Sequence, residues 1–291
     1  MNKIGYGVLS AILLFGIAAQ PGLASVKPKT IQFSLNLGAA ASGDGDIGPF
    51  VGGFEDYARD LADLLGLQKS SDIEWTKWGR ALGGEVILGF SPRVRLGLGI
   101  GLISKARDNR AELGPYPLIE GKLDFGLSVV PMTLTGYLFF PVSEKSQIYI
   151  KGGPSFYWGR FRYDVTTIVQ GVESRFEGEI RDGAPGFQGG LGIEAVLSDR
   201  LTLFAEAAGR YVKSGDWIGD ETELTEQVKS APVWYAEEAY GGGALFTGRY
   251  YPSIVVADDS PQSSRLKNVR RFETNFSGVQ IQVGIRIGFD L

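Results

Sequence analysis

The sequence predicts an all-β fold, an eight-stranded antiparallel up-and-down transmembrane β-barrel with long extracellular loops. Three observations predict it. Eight segments alternate apolar and polar residues with a period of two, which is typical of strands. The connections between them alternate strictly between short and long, as an up-and-down meander requires. One face of these segments is apolar, while the other has nearly all of the charge and is rich in glycine.

The N-terminus predicts a secretory signal peptide over residues 1–24. A single basic residue, Lys3, precedes an apolar run from Val8 to Ala19, and small residues surround an expected cleavage site after Ala24. The run is too short for a bilayer-spanning helix, which needs about 20 residues. Residues 25–291 are therefore assigned to one exported barrel domain.

The composition excludes several kinds of site. The 291 residues include no cysteine and no histidine, which excludes Ser-His and Cys-His nucleophiles, zinc bound by thiolate or imidazole, and haem held by histidine. A net charge of −4 provides no basic stripe for nucleic acid. Carboxylate chemistry, for example by Glu194 and Glu206, would need a cavity that a filled barrel lacks. We expect no enzymatic activity, no cofactor, no metal and no nucleic-acid partner.

The fourth of the eight segments changes phase along its length. Its apolar residues are odd-numbered as far as Leu127 and even-numbered from Met132 onward. We predict a β-bulge near Pro131, because an extra residue exchanges the two faces and proline removes a ladder donor. The alternating cores are residues 31–37, 82–90, 94–102, 122–140, 148–158, 187–197, 201–211 and 279–291.

The connections place all long segments at one end of the barrel, which we assign to the cell exterior. Residues 54–67 have apolar side chains at helical spacing and predict an amphipathic helix, either a lid over the barrel mouth or a surface element for lipid or a partner. Gln170-Gly171 predicts a hairpin that projects beyond the membrane. The long connections are residues 39–79, 105–121, 160–185 and 214–270, approximately.

The apolar face is predicted to meet lipid, because hydrocarbon satisfies no backbone group and a spanning sheet must close. Aromatic residues predict a girdle at each interface. Trp78, Phe156 and Trp158 belong to the long-loop end, and Phe90, Phe140 and Phe289 to the short-turn end. A soluble, calycin-like barrel is the alternative, since alternation does not say which face is inward.

Charged residues on the other face predict a lumen filled by ion pairs, because an eight-stranded barrel is just wide enough for side chains to fill. Counting from the short turns pairs Lys151 with Glu194 and Glu206 with Arg286. A narrow ion path along these charges is the alternative. The predicted network consists of Glu85, Arg95, Lys151, Glu194, Glu206, Arg210 and Arg286.

The connection 214–270 is too long for a turn. Its carboxylates are interspersed with aromatic residues, a combination that suits a recognition surface for an extracellular partner or, equally, a self-packed cap. The aromatic candidates are Trp217, Trp234, Tyr235, Tyr240, Tyr250 and Tyr251.

Three segments resemble the small eight-stranded outer-membrane barrels, the group of OmpX, OmpW and the OmpA transmembrane domain. They are YIKGGPSFYWGRFRY (149–163), residues 189–211 and the alternating C-terminus, 279–291. The resemblance implies a Gram-negative outer membrane as location, lipid as surroundings, and insertion by the barrel-assembly machinery. That machinery usually reads a terminal aromatic residue, whereas this chain ends in Leu291 with Phe289 two places before it.

From these features we expect a monomer with a structural or interaction role at the cell surface, carried by the extracellular loops. The final strand is expected to close the barrel onto the first. The alternative, implied by OmpW-type relatives, is porin-like passage of small apolar solutes through a widened upper lumen.

Overall fold

The computed structural model describes residues 30–43, 45–71, 73, 75–113, 119–169, 172–223, 226–239, 250–263 and 265–290. The predicted signal peptide, Gln170-Gly171, Tyr240 and Leu291 lie outside these residues. Within the described ranges, no helix combines the length and apolarity needed to cross a bilayer.

The described residues form one helix and fourteen strands. In chain order they are β1 (Thr30–Ser42), α1 (Ile47–Leu65), β2 (Lys69–Ser71), β3 (Trp78–Gly89), β4 (Val94–Leu113), β5 (Ile119–Pro141), β6 (Ser146–Val169), β7 (Val172–Val196), β8 (Leu201–Ser214), β9 (Ile218–Glu223), β10 (Glu226–Glu238), β11 (Tyr251–Val256), β12 (Leu266–Arg271), β13 (Thr274–Asn275) and β14 (Gly278–Asp290).

Eight of these strands close into an antiparallel ring in the order β1, β3, β4, β5, β6, β7, β8 and β14. The last strand pairs with the first, with Leu35 opposite Ile285. A closed ring leaves no unpaired strand edge, which is the condition for crossing hydrocarbon. The predicted fold is therefore confirmed.

The outer surface of the ring is apolar. Leu35 on β1 and Leu191 on β7 are 63% and 62% exposed, whereas Ser34, beside Leu35 in the chain, is 3% exposed. A soluble barrel would pack these leucines centrally, because burying apolar surface drives folding in water. The calycin-like alternative is therefore wrong.

The predicted bulge near Pro131 is absent, and that prediction is wrong. β4 and β5 keep one register through this region, with Ile100 opposite Met132 and Ile103 opposite Val129. The hydrophobic pattern inverts instead: Met132 is exposed and Val129 is buried. Below this level apolar side chains face lipid, and above it they face the interior of the barrel. The change of phase marks the upper limit of the lipid-facing wall.

The hydrophobic pattern of β6 and β7 inverts at the same level. Trp158 on β6 is 46% exposed and Phe161 is fully buried, while on β7 Phe187 is exposed and Ala184 is buried. Residues 105–113, 160–169 and 172–185, predicted as loops, therefore continue the strands. β6 extends eleven residues past Trp158 to Val169, about 36 Å of strand at about 3.3 Å per residue.

The helix is longer than predicted and begins closer to the barrel. It was expected over 54–67 and runs from Ile47 to Leu65, ending at the left-handed Gly66 with φ +63°. Ile47, Phe50 and Val51 in its first turns are buried, so the helix packs inside the barrel mouth.

The connection 214–270 is largely a sheet. β9 pairs with the upper part of β7, with Ile180 opposite Gly219. β10 then pairs with β9, β11 and β12. β13 pairs with the end of β8 before the chain enters β14.

Candidate functional site

The lower lumen contains cations and carboxylates that water barely reaches. Arg95 and Arg286 are each 1% exposed, and Glu194 is 2% exposed. An isolated buried charge is costly, so these groups must compensate one another. This lumen network comprises Arg95, Lys151 and Arg286 with Glu85, Glu194 and Glu206.

The ion pairs differ from those predicted. Arg286 pairs with Glu194, and Lys151 pairs with Glu206. Arg95 lies 3.4 Å from Glu194 as a second cation. The prediction assumed that equal distances from the short turns mean equal heights. In the barrel, Glu194 lies opposite Gln147, four residues from Lys151, because the strands are staggered.

Aromatic rings fill the space around this network. The Arg286 guanidinium lies 4.3 Å from the ring centre of Phe204 and 4.7 Å from that of Tyr149. The hydroxyl of Tyr149 donates a 2.7 Å hydrogen bond to Glu206. A Cβ atom on Gly192 would overlap the Tyr149 ring. Glycine on the inner face therefore provides room for these rings.

A small polar cavity lies above the network. A cavity of about 60 Å³ is bordered by Lys151, Gln188 and Gln282, among other polar side chains. This volume holds only a few water molecules. Paired charges and aromatic rings therefore occupy the lower lumen.

Arg210 has a different role from the one predicted. Its Nε donates to the carbonyl of Phe276 at 2.7 Å, and its Nη2 donates to the carbonyl of Ala41 at 2.8 Å. No carboxylate of the described residues forms an ion pair with it. Arg210 thus donates to backbone carbonyls where β1 ends and β14 begins, and does not belong to the ion-pair network.

A cluster of four aromatic rings, named here the apolar seal, lies in the barrel mouth. Phe50 of α1 lies at ring-centre distances of 5.6 Å from Tyr163, 6.0 Å from Phe125 and 6.3 Å from Phe161. All four rings are buried, and Phe50 meets the other three edge to face, a favourable aromatic arrangement. The apolar seal lies above the lumen network.

Polar contacts fix the helix in this position. Asp46, just before α1, accepts hydrogen bonds of 2.5 and 2.6 Å from Arg270. These bonds raise the pKa of Arg270 above its ordinary value. Asp60 accepts a 2.6 Å hydrogen bond from the hydroxyl of Tyr251. The helix is therefore attached at two points to the sheet formed by residues 214–270.

The aromatic residues of this sheet are mostly interior. Trp217 is 1% exposed and packs edge to face on Phe272 and Phe276. Tyr235 and Tyr251 are also buried. The proposed recognition role is corrected at these three positions, because their side chains belong to a self-packed cap.

Trp234 and Tyr250 are half-buried. The guanidinium of Arg271 lies 4.2 Å from the Trp234 ring centre, and the ammonium of Lys267 lies 3.7 Å from that of Tyr250. Cations of the cap therefore cover both rings.

The six predicted girdle residues all lie on outward positions of the ring. Trp78, Phe156 and Trp158 are exposed toward the long-strand end, and Phe90 and Phe289 toward the short turns. Phe140 is half-buried. Their spacing brackets the apolar wall, as interfacial aromatic belts require.

A groove that sequence reasoning missed lies just above the upper girdle, on the outer wall. Its volume is about 660 Å³, and Val130 and Trp158 border it toward the membrane. Small residues form its floor, and arginines form one side. The floor is Ser104, Ala106, Gly126 and Ser128, and the arginines are Arg160, Arg162 and Arg181. Two carboxylates, Asp182 and Asp216, also line the groove, and Asp182 accepts hydrogen bonds from Ser214 and from the backbone N–H of Asp216.

The three arginines converge on Glu179. Arg162 Nε lies 2.7 Å and Arg181 Nε 3.2 Å from its carboxylate, and Arg160 also pairs with it. Burial raises the pKa of Glu179, but the hydrogen bonds from Arg160 and Arg162 outweigh it and leave the pKa lowered. The sequence does indicate this arginine cluster, since Arg160 and Arg162 follow Trp158 on the same face of β6.

An apolar chamber lies inside the extracellular part. Its volume is about 550 Å³, between α1, the inner faces of β4 to β6, and β11. Phe54, Leu61, Leu123, Val165 and Ile254 are among its lining residues.

Comparisons with known proteins return barrels at low sequence identity. No protein-family model matches the sequence, and no curated protein matches it. OprG from Pseudomonas aeruginosa is 11% identical, with a TM-score of 0.43, over 93% of this chain and 100% of that one. A major outer membrane protein from Thermus thermophilus is 11% identical, with a TM-score of 0.39, over 89% and 99%.

Neisserial surface protein A is 9% identical, with a TM-score of 0.37, over 89% of this chain and 97% of that one. The fold assignment itself rests on the ring of eight strands and its apolar exterior. By that geometry, the chain is an outer-membrane type β-barrel.

Proposed function

We propose that this protein is a non-conducting barrel of a bacterial outer membrane that acts at the cell surface, without catalysis, as a structural or interaction protein. One observation carries the proposal. Two layers of side chains cross the lumen, the lumen network below and the apolar seal of Phe50 above, and we infer that they block it. The remaining candidate for function is then the extracellular wall and cap.

The two seals act in series, which makes the proposal testable in planar bilayers. The wild-type protein should show no steady conductance. A first double variant, with Phe50 and Phe161 replaced by Ala, should open the upper seal alone. A second, with Arg286 and Glu194 replaced by Ser, should open the lower seal alone. Neither pair should conduct, whereas the four changes together should. Steady openings of the wild-type protein would overturn the proposal.

A second candidate is uptake of small apolar solutes, which the apolar chamber of about 550 Å³ supports. Introducing a charge at Leu123 or Val165 should abolish binding of an apolar fluorescent dye, because a buried unpaired charge is costly. Unchanged dye binding by these variants would exclude uptake of apolar solutes as the function.

Export, assembly and oligomeric state belong to the same proposal. We expect cleavage after Ala24, insertion by the barrel-assembly machinery and a monomer in the membrane. An extracellular partner would contact the wall and cap. N-terminal sequencing of the membrane-extracted protein tests the cleavage site, and its mass in detergent tests the monomer.

A further inference from the structure

The groove above the upper girdle lies at the level where lipid headgroups meet the wall. Its lower border is Val130 and Trp158, and aromatic residues of this kind mark the headgroup level. Below Val130 on the same outer face, Met132 and Leu134 are exposed. The groove is therefore continuous with the lipid-facing surface of β5.

Strand register places positive charge on both sides of the small floor. Ser104 lies opposite Arg80, and Ser128 opposite Arg160, which in turn lies opposite Arg181. Arg80 and Arg160 are three strand spacings apart, about 14 Å. Because the intervening residues are small, a bulky headgroup can reach the wall between the arginines.

The arginines keep most of their hydrogen-bond donors. Each guanidinium has five N–H groups, and Glu179 accepts one hydrogen bond each from Arg160 and Arg162 and forms an ion pair with Arg181. Arg181 also pairs with Asp220 at 2.8 Å. The side chains of Arg160, Arg162 and Arg181 are 47%, 60% and 59% exposed. Glu179 and Asp220 thus gather three guanidiniums and leave most of their N–H groups for a further acceptor.

We propose that this groove binds the headgroup of an anionic, phosphate-bearing lipid of the outer leaflet, whose acyl chains lie on the apolar wall beneath. Guanidinium groups bind phosphate through paired hydrogen bonds, which favours arginine at such sites. A lipid fits better than a free anion, because the groove opens onto the lipid-facing surface and lies at headgroup level. The inference rests on the proposed membrane location.

The test compares two variants of the full-length protein in detergent. The first replaces Arg160, Arg162 and Arg181 by Gln. The control is Arg175→Gln, an exposed arginine further out on β7 that pairs with Asp164. Binding is measured by the rise in unfolding temperature on titration with phosphatidylglycerol, and by lipid adducts in native mass spectrometry.

We expect the wild-type protein and the control to bind phosphatidylglycerol equally. The triple variant should lose about ten-fold or more in affinity, since one hydrogen bond to a charged group contributes roughly that factor. Phosphatidylcholine and inorganic phosphate should give much weaker shifts. Equal binding by the triple variant, or an equal shift with phosphatidylcholine, would overturn the proposal. An equal shift with inorganic phosphate would overturn it too, by showing a free-anion site instead.

Cell fractionation separates this inference from the proposed location. All three proteins should fractionate with the outer membrane. A wild-type protein released without detergent would refute the membrane location, whereas a triple variant that stays in the membrane but loses lipid binding supports the groove.

Discussion

Replacing Lys151 by Met should show how strongly the lumen network stabilises the barrel. Lys151 is buried and pairs with Glu206. Methionine keeps most of the length of the side chain and removes its charge. Glu206 then retains the hydroxyl of Tyr149 at 2.7 Å and the amide of Gln282 as donors.

The expected loss in the free energy of unfolding depends on the hydrogen bonds that Glu206 keeps. Removing one partner of a buried ion pair costs about 3–5 kcal/mol. Because two donors still reach Glu206, we expect the low end, about 3 kcal/mol. Adding Glu206→Gln removes the stranded carboxylate, and replacing a buried pair by neutral groups is often nearly neutral. The double variant should therefore recover about 2 kcal/mol.

Equilibrium unfolding in urea, followed by tryptophan fluorescence in lipid vesicles, measures both losses. The matched control is Lys145→Met, at an exposed short turn, which should stay within about 0.5 kcal/mol of wild type. A loss below about 1 kcal/mol for Lys151→Met would refute the network as a source of stability. So would a double variant as unstable as the single one.

Three further changes test the extracellular part. Phe50→Ala should cost about 3–5 kcal/mol in the apolar seal and expose α1 to limited proteolysis while the ring survives. Asp46→Asn should weaken the bond to Arg270 by about 1.5–3 kcal/mol and accelerate amide hydrogen exchange in the first turns of α1. Burial and repulsion by Asp108 and Asp164 raise the pKa of Asp124. Protonated Asp124 stabilises the folded state fully at pH values below the ordinary aspartate pKa. This stabilisation is lost as the pH rises through the raised pKa. Asp124→Asn should remove this loss, seen as a higher urea midpoint at neutral pH.

Local sequence pattern was sufficient for the ring, because each strand carries its own alternation. It was insufficient for the first half of α1. Gly48, Gly52 and Gly53 are poor helix residues, and the helix forms there because Phe50 and its neighbours are buried in the barrel mouth. Tertiary packing, which the sequence does not display, decided this boundary.

The partners in the lumen could not be deduced from residue counts. Glu194 and Lys151 both face inward, as alternation requires, yet register places them four residues apart. Only the closed barrel, with its stagger, determines which inward charges meet. The sequence predicted most of the network's members and missed their pairing.

The phase inversion at Pro131 carries more information than the bulge that it suggested. A bulge would affect one strand locally, whereas the inversion occurs at one level in β4, β5, β6 and β7. A shared level means a shared cause, the change from lipid to water outside the wall. In the lower part of these strands the apolar side chains point outward into lipid, and in the upper part they point inward, away from water. Arg160, Arg162 and Arg181 lie just beyond that change, which is why a groove on the outer wall can be basic and still open onto lipid.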